Sequence, residues 1–157
     1  VITSELYNYL VNVGFFNQVA STRYHGDYTG GLYDHSKNVM EELVNLTVKL
    51  DLKWERKESP YIIGMFHDLC KIDNYNLEKD GSYSYNKDKK SLGHGSRSVK
   101  LLEEFMDLTE EEKLCITYHM GAYETSNWNE FEKAIRKYEN VLWTHTADMY
   151  ASKIVEK

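Results

Sequence analysis

Between residues 31 and 52, Leu32, Val39, Leu43, Leu46 and Leu50 recur at helical spacing along one face, and His35 falls in the same stripe. Apolar residues three and four apart bury one side of a helix, so the segment predicts a long helix with a histidine turned toward the core. A single proline in 157 residues points the same way. Folds built from many short strands need frequent turn residues, and here most of the nine glycines stand between periodic segments. The expected fold class is therefore all-α.

The rest of the chain fills in a bundle of six or seven helices. Ser4 reads as the cap of a first helix with Leu6, Leu10 and Val13 on one face and Gly14 as its stop. Residues 17–30 are polar and turn-rich. Ser59-Pro60 reads as a helix start, Ser as cap and Pro at the first position, and Ile62, Ile63, Phe66 and Cys70 carry that helix to about residue 72. Tyr75, Leu77, Tyr83 and Tyr85 then flank Glu78-Lys79-Asp80-Gly81, the pattern of a small β-hairpin inserted near residues 75–86. Periodicity returns over 94–105. Thr109 with Glu112 is a capping box for a helix reaching about residue 119, with Gly121 behind it. Two further helices are expected over 128–137 and 141–155. No linker or repeat divides the chain, so residues 1–157 are expected to form one domain.

The net charge of −6, from 19 basic and 25 acidic residues, comes without any run of Lys/Arg. Long nucleic acid is gripped largely by phosphate neutralisation, so such a partner is not expected. A small phosphorylated ligand is not excluded, because a bound metal can supply the local positive charge. Cys70 and Cys115 sit in apolar helical patterns and read as buried free thiols of a reducing compartment. No apolar run approaches the ~20 residues that span a bilayer. The first residues carry no basic and apolar signal pattern, and the opening Val1 leaves room for an upstream segment. The expectation is a cytoplasmic protein without a membrane partner; its oligomeric state is not legible.

Chemistry-bearing residues stand where a core should be. His35 lies in the Leu32/Val39/Leu43 stripe, His67 and Asp68 are adjacent in YIIGMFHDLCKI, and His94 begins the face continued by Ser98, Leu101 and Phe105. His119 follows Leu114, Cys115 and Tyr118, while His145 and Asp148 stand among Leu142, Met149 and Ile154. One histidine on an apolar face is ordinarily a satisfied core residue. Asp68 is harder to accommodate, since a carboxylate buried beside Phe66, Leu69 and Ile72 without a cation costs several kcal/mol. Asp148 poses the same problem. A divalent metal held by imidazoles and carboxylates compensates both charges at once.

The order His35, His67-Asp68, His94, His119, Asp148 resembles the HD superfamily of metal-dependent phosphohydrolases. GGLYDHSKNV is similar to the family's first-histidine helix, HDLCKI to its His-Asp segment, and TADMYASKI to its terminal acidic segment. Leu92-Gly93-His94 and His119-Met120-Gly121 are similar to segments of the HD domain of bacterial 3′-to-5′ exoribonucleases. The resemblance spans about residues 20–155 and implies an HD-domain helical bundle. Carried over by position, it implies a first metal on His35, His67, Asp68 and Asp148, with Asp68 bridging to a second ion on His94 and His119. It thus implies one or two divalent ions (Mn, Mg, Fe, Co, Ni or Zn). The implied activity is hydrolysis of a nucleotide or related small phosphate ester or phosphodiester by a metal-activated hydroxide, with Asp68, Lys71, His94 and His119 as the catalytic set. Arg23, His25, Lys71 and Arg97 are the candidate substrate contacts; a solvated helix-end lysine is the plainer alternative for Lys71, and Arg97 reads equally as a surface ion pair. His145 is expected to pack or to support Asp148 rather than to ligate. Tyr24, Tyr75 and Tyr123 are base-stacking candidates whose plainer role is packing. The same ligands also resemble those of di-iron oxygenases of this fold such as myo-inositol oxygenase, and a nucleotide-binding HD module without catalysis is the third expectation.

Overall fold

The computed structural model of the chain describes residues 2–20, 28–73, 75–77, 79–80, 83–85, 94–121 and 128–157. Among these residues the architecture is helical, with seven α-helices: α1 (Ser4–Asn12), α2 (Gly31–Leu50), α3 (Ser59–Phe66), α4 (His94–Glu103), α5 (Glu110–Thr117), α6 (Trp128–Lys137) and α7 (Asn140–Tyr150). A 3-10 turn (Leu69–Asp73) follows α3, and a wide π turn (Ala151–Val155) follows α7. A short antiparallel ladder pairs β1 (Tyr75–Leu77) with β2 (Tyr83–Tyr85), Tyr75 opposite Tyr85. None of the described helices is long and apolar enough to cross a membrane.

The central helix is α2. Its residues Leu32, His35, Val39 and Leu43, three or four apart, are all essentially buried, whereas Leu50 is 47% exposed and the stripe runs out before it. α2 packs chiefly against α3 and α7, and α5 packs against α4, α7 and α3. Two glycines allow the closest approaches. A Cβ on Gly64 would lie 2.3 Å from the Met40 Cα, and one on Gly95 would lie 2.3 Å from the Ile116 carbonyl oxygen. The first glycine seats α3 on α2; the second seats the start of α4 on the end of α5. The apolar core joins Leu6 and Leu10 of α1, Phe15, Ile63, Phe66, Leu102, Ile116, Phe131 and Val141.

Helix ends depart from the expected ones in instructive ways. Thr3, not Ser4, caps α1, its hydroxyl accepting from the Leu6 amide at 3.2 Å. Ser59 is not a cap either; the preceding Glu58 holds that position, and the Ser59 hydroxyl donates to Glu112. The helix expected to reach residue 72 ends at Phe66. There His67 Nδ1 takes the Gly64 carbonyl at 2.8 Å, the acceptor that an uninterrupted helix would offer to the Asp68 amide, and the chain tightens to a 3-10 turn. α4 stops at Glu103 rather than 105, and α2 at Leu50, where Asp51 adopts a left-handed φ of 52°. The capping box of α5 is present as expected, the Thr109 hydroxyl accepting from the Glu112 amide and the Glu112 carboxylate from the Thr109 amide. Cys70 and Cys115 are buried free thiols, and burial pushes the Cys115 pKa up.

Candidate metal centre

Four segments deliver five polar side chains to one point in the bundle. His35 comes from the buried stripe of α2, His67 and Asp68 from the break after α3, His119 from just past α5, and Asp148 from α7. His35, His67, Asp68 and His119 are at most 2% exposed, while the Asp148 side chain keeps 16%. Solvent therefore reaches the group on the Asp148 side.

The separations are those of a coordination shell. His35 Nε2 lies 3.0 Å from Asp148 Oδ1, 3.4 Å from Asp68 Oδ2 and 3.3 Å from His67 Nε2. His67 Nε2 lies 3.3 Å from Asp68 Oδ2 and 3.6 Å from Asp148 Oδ1. An ion that holds nitrogen and oxygen at ~2.0–2.2 Å separates neighbouring ligand atoms by roughly 2.9–3.6 Å, the range found here. On the other side of the same carboxylate, Asp68 Oδ1 faces His119 Nε2 at 3.1 Å. Asp68 thus presents one oxygen to the His35/His67 pair and the other to His119. Ligand-type atoms of His35, His67 and Asp68, and of His67, His119 and Asp148, lie within 4.8 Å of one another, so these groups could hold a metal ion.

Ring tautomers make the case for a cation. His67 Nδ1 sits 2.8 Å from the Gly64 carbonyl and His119 Nδ1 2.7 Å from the Ile116 carbonyl. A carbonyl only accepts, so both Nδ1 atoms carry hydrogen and donate. His35 Nδ1 donates in the same way to the Glu156 carboxylate at 3.0 and 3.1 Å. In their neutral forms all three rings therefore turn a bare Nε2 lone pair toward carboxylate oxygens. Acceptors facing acceptors in a buried site are tolerated only when positive charge stands between them, as a proton or a metal ion.

The electrostatics carry the same demand. Burial opposes charge on His35, yet hydrogen bonds to Asp148, Asp68 and Glu156 raise its pKa well above the ordinary imidazole value. Burial likewise opposes charge on His67, and Asp68 with Asp148 still pushes it up to about 9. Burial alone would raise Asp68, but Lys71 and His67, then hydrogen bonds from His119 and His35, hold it well below the usual carboxylate range. Asp148 is held low against its burial by His35 and His67. The two buried carboxylates thus stay charged only with positive charge beside them.

The same local device positions two of the imidazoles. Each follows the end of a helix and donates Nδ1–H to the carbonyl three residues back, a local contact that fixes the ring orientation. His145 supports rather than joins the group: its Nδ1 meets the His119 carbonyl at 2.8 Å, and its ring lies over Gly121, where a Cβ would come within 2.9 Å. Lys71 is beside the site, Nζ 3.3 Å from Asp68 Oδ2 and donating to the Ala20 carbonyl at 2.8 Å, which sets aside the plainer reading of a solvated helix-end lysine. Arg97 donates to the Cys70 carbonyl at 2.8 Å and so ties α4 to the 3-10 turn. Arg23, His25, Tyr24 and Tyr123 lie outside the described residues, as do the side chains of His94 and Tyr75. The backbone of residue 94 begins α4, one residue before the glycine that touches Ile116 and Thr117.

Sequence reasoning missed Glu156. It accepts from His35 Nδ1 and from Asn38 Nδ2, the latter at 3.2 Å. No family model matches the chain, and neither a curated protein nor a solved structure does.

Proposed function

We propose that this chain is a metal-dependent phosphohydrolase of the HD type, acting on a nucleotide or related small phosphate ester. One observation carries the reading: three imidazole Nε2 atoms and two carboxylates converge at metal-ligand spacing, with Asp68 offering an oxygen to each side. The order of those residues along the chain, with the His-Asp pair second, supports the HD assignment. Nearly full burial and the fixed rings favour a site whose ligands are set before substrate arrives.

One or two divalent ions bound there supply Lewis acidity and lower the pKa of a water, the chemistry that phosphate-ester hydrolysis requires. The chain's own residues do the rest. Asp68 and Asp148 offset the ions' charge, and the Nδ1 bonds of His35, His67 and His119 hold the rings in register. Lys71, a compact cation 3.3 Å from Asp68, stands ready for a phosphate oxygen. His94, by the resemblance of its segment to the family's, is the remaining ligand proposed for a second ion.

The test is a panel of nucleotides and bis-p-nitrophenyl phosphate incubated with chelated protein reloaded with Mn, Mg, Co, Ni or Fe. Phosphate or p-nitrophenol release that needs the metal supports the proposal. Iron-loaded protein that consumes oxygen and hydrolyses nothing would move the assignment to the oxygenases that share this ligand set.

A further inference from the structure

We infer that Glu156 is a positioning residue of the metal centre, the group that fixes the His35 ring and raises its donor strength. The inference rests on the metal-site reading above and concerns a residue well outside the expected ligand set.

His35 differs from the other two imidazoles in its surroundings. His67 and His119 each find a backbone carbonyl three residues back. His35 lies in the second turn of α2, where the carbonyl three residues back is committed to the helix itself, so its Nδ1–H needs a partner from elsewhere. The Glu156 carboxylate supplies it through both oxygens, at 3.0 and 3.1 Å, and is itself held by Asn38 Nδ2, one turn along α2 from His35. The Glu156 side chain is only 11% exposed. A largely buried carboxylate directed at one ring nitrogen leaves the opposite nitrogen, Nε2, as the donor facing Asp68 and Asp148.

The backbone is shaped for this contact. Eight residues separate Asp148 from Glu156, which on a regular α-helix is about 2.2 turns and would carry Glu156 away from the Asp148 face. The π turn at Ala151–Val155 breaks that spacing, with the Glu156 amide donating to the Ala151 carbonyl five residues back at 3.0 Å. A wider turn takes up more residues, so eight residues come closer to two whole turns. Asp148 therefore meets one nitrogen of His35 while Glu156 meets the other. One terminal segment grips the ring from both sides.

The experiment compares wild type, Glu156→Gln and Glu156→Ala by calorimetric titration of the chelated proteins with Mn2+ and with Zn2+. Replacing the carboxylate behind a metal-binding histidine typically weakens metal affinity by about 10–100-fold, and that loss is expected for Glu156→Ala. Glu156→Gln retains the shape without the charge and is expected to lose less. A nitrogen-resolved NMR spectrum of the Zn2+-loaded proteins supplies the second readout. Wild-type His35 is expected to bind through Nε2 with Nδ1 protonated, and Glu156→Ala to broaden or shift that signal while the His67 and His119 signals stay. Wild-type affinity and an unchanged His35 signal in Glu156→Ala would overturn the role of Glu156 and leave the metal centre standing. A wild-type protein that binds neither ion would overturn both.

Discussion

Two buried charged clusters lie in this bundle, and they solve the same problem in opposite ways. Around Glu112, whose side chain is fully buried, every acceptor meets a donor of the chain. Arg56 donates to both of its oxygens at 2.8 Å, the Ser59 hydroxyl at 2.7 Å and the Thr109 amide at 2.9 Å. Next to it Glu111 accepts from the Glu55 amide and from Asn140. These bonds lock α5 to the start of α3, while the buried Asn140 Oδ1 has no hydrogen-bond partner. Around Asp68, acceptor atoms of three imidazoles and two carboxylates face one another, with Lys71 at the margin. In the first, the chain itself supplies the donors that the Glu112 carboxylate needs. The second gathers ligand-type atoms that could hold a metal ion.

The largest expected effect separates the two clusters outright. Asp68→Ala should abolish hydrolysis and metal retention together while circular dichroism still reports the helices, since one carboxylate serves both sides of the centre. An active Asp68→Ala protein with full metal content would end the bridging assignment.

Arg56→Met should act the other way round, leaving metal binding intact and lowering stability. Removing one partner of a buried pair costs about 3–5 kcal/mol, and with Arg56 34% exposed a value of roughly 2–3 kcal/mol is expected from urea unfolding. A stability unchanged within error would show that Glu112 is not held as described.

What made the metal cluster legible, and the Glu112 cluster not, is pattern. His35, His67, Asp68, His119 and Asp148 are polar residues on faces that are otherwise apolar, which a single sequence displays. Glu111 and Glu112 sit in a run of three glutamates that reads as the capping box of a helix start, and the tertiary approach of Arg56 and Asn140 shows that two of the three are buried. Helix ends were misread where a side chain took over a backbone bond, as at His67, or where a cap residue served a distant partner, as at Ser59. Glu156 was invisible because helical spacing from Asp148 places it on the wrong face, and the π turn that corrects this leaves no signature in the residue types.

Acid provides a smaller, graded test of the closed cluster. Burial alone would raise the Glu112 pKa, but Arg56, Ser59 and Thr109 hold it below its ordinary value of 4.5. A carboxyl depressed in the folded state contributes stability that is present above its unfolded pKa and lost as pH falls through the folded value. Glu111 has the opposite sign: burial raises it, so its unfavourable charge is relieved as pH falls. Wild type should therefore lose stability more steeply below about pH 4.5 than Glu112→Gln does, as measured by urea midpoints from pH 7 to 3. Parallel slopes for the two proteins would contradict the sign assigned to Glu112.

Counting ions per folded chain tests the central claim most directly. Protein equilibrated with Mn2+ or Zn2+ and freed of excess ion by gel filtration should retain at least one ion by elemental analysis. If His94 and His119 complete a second site it should retain two, with His119→Ala reduced to one and the His35/His67/Asp148 side still filled. A folded wild-type chain that retains neither metal would show that the convergent lone pairs are satisfied by protons alone, and the metal centre would be withdrawn.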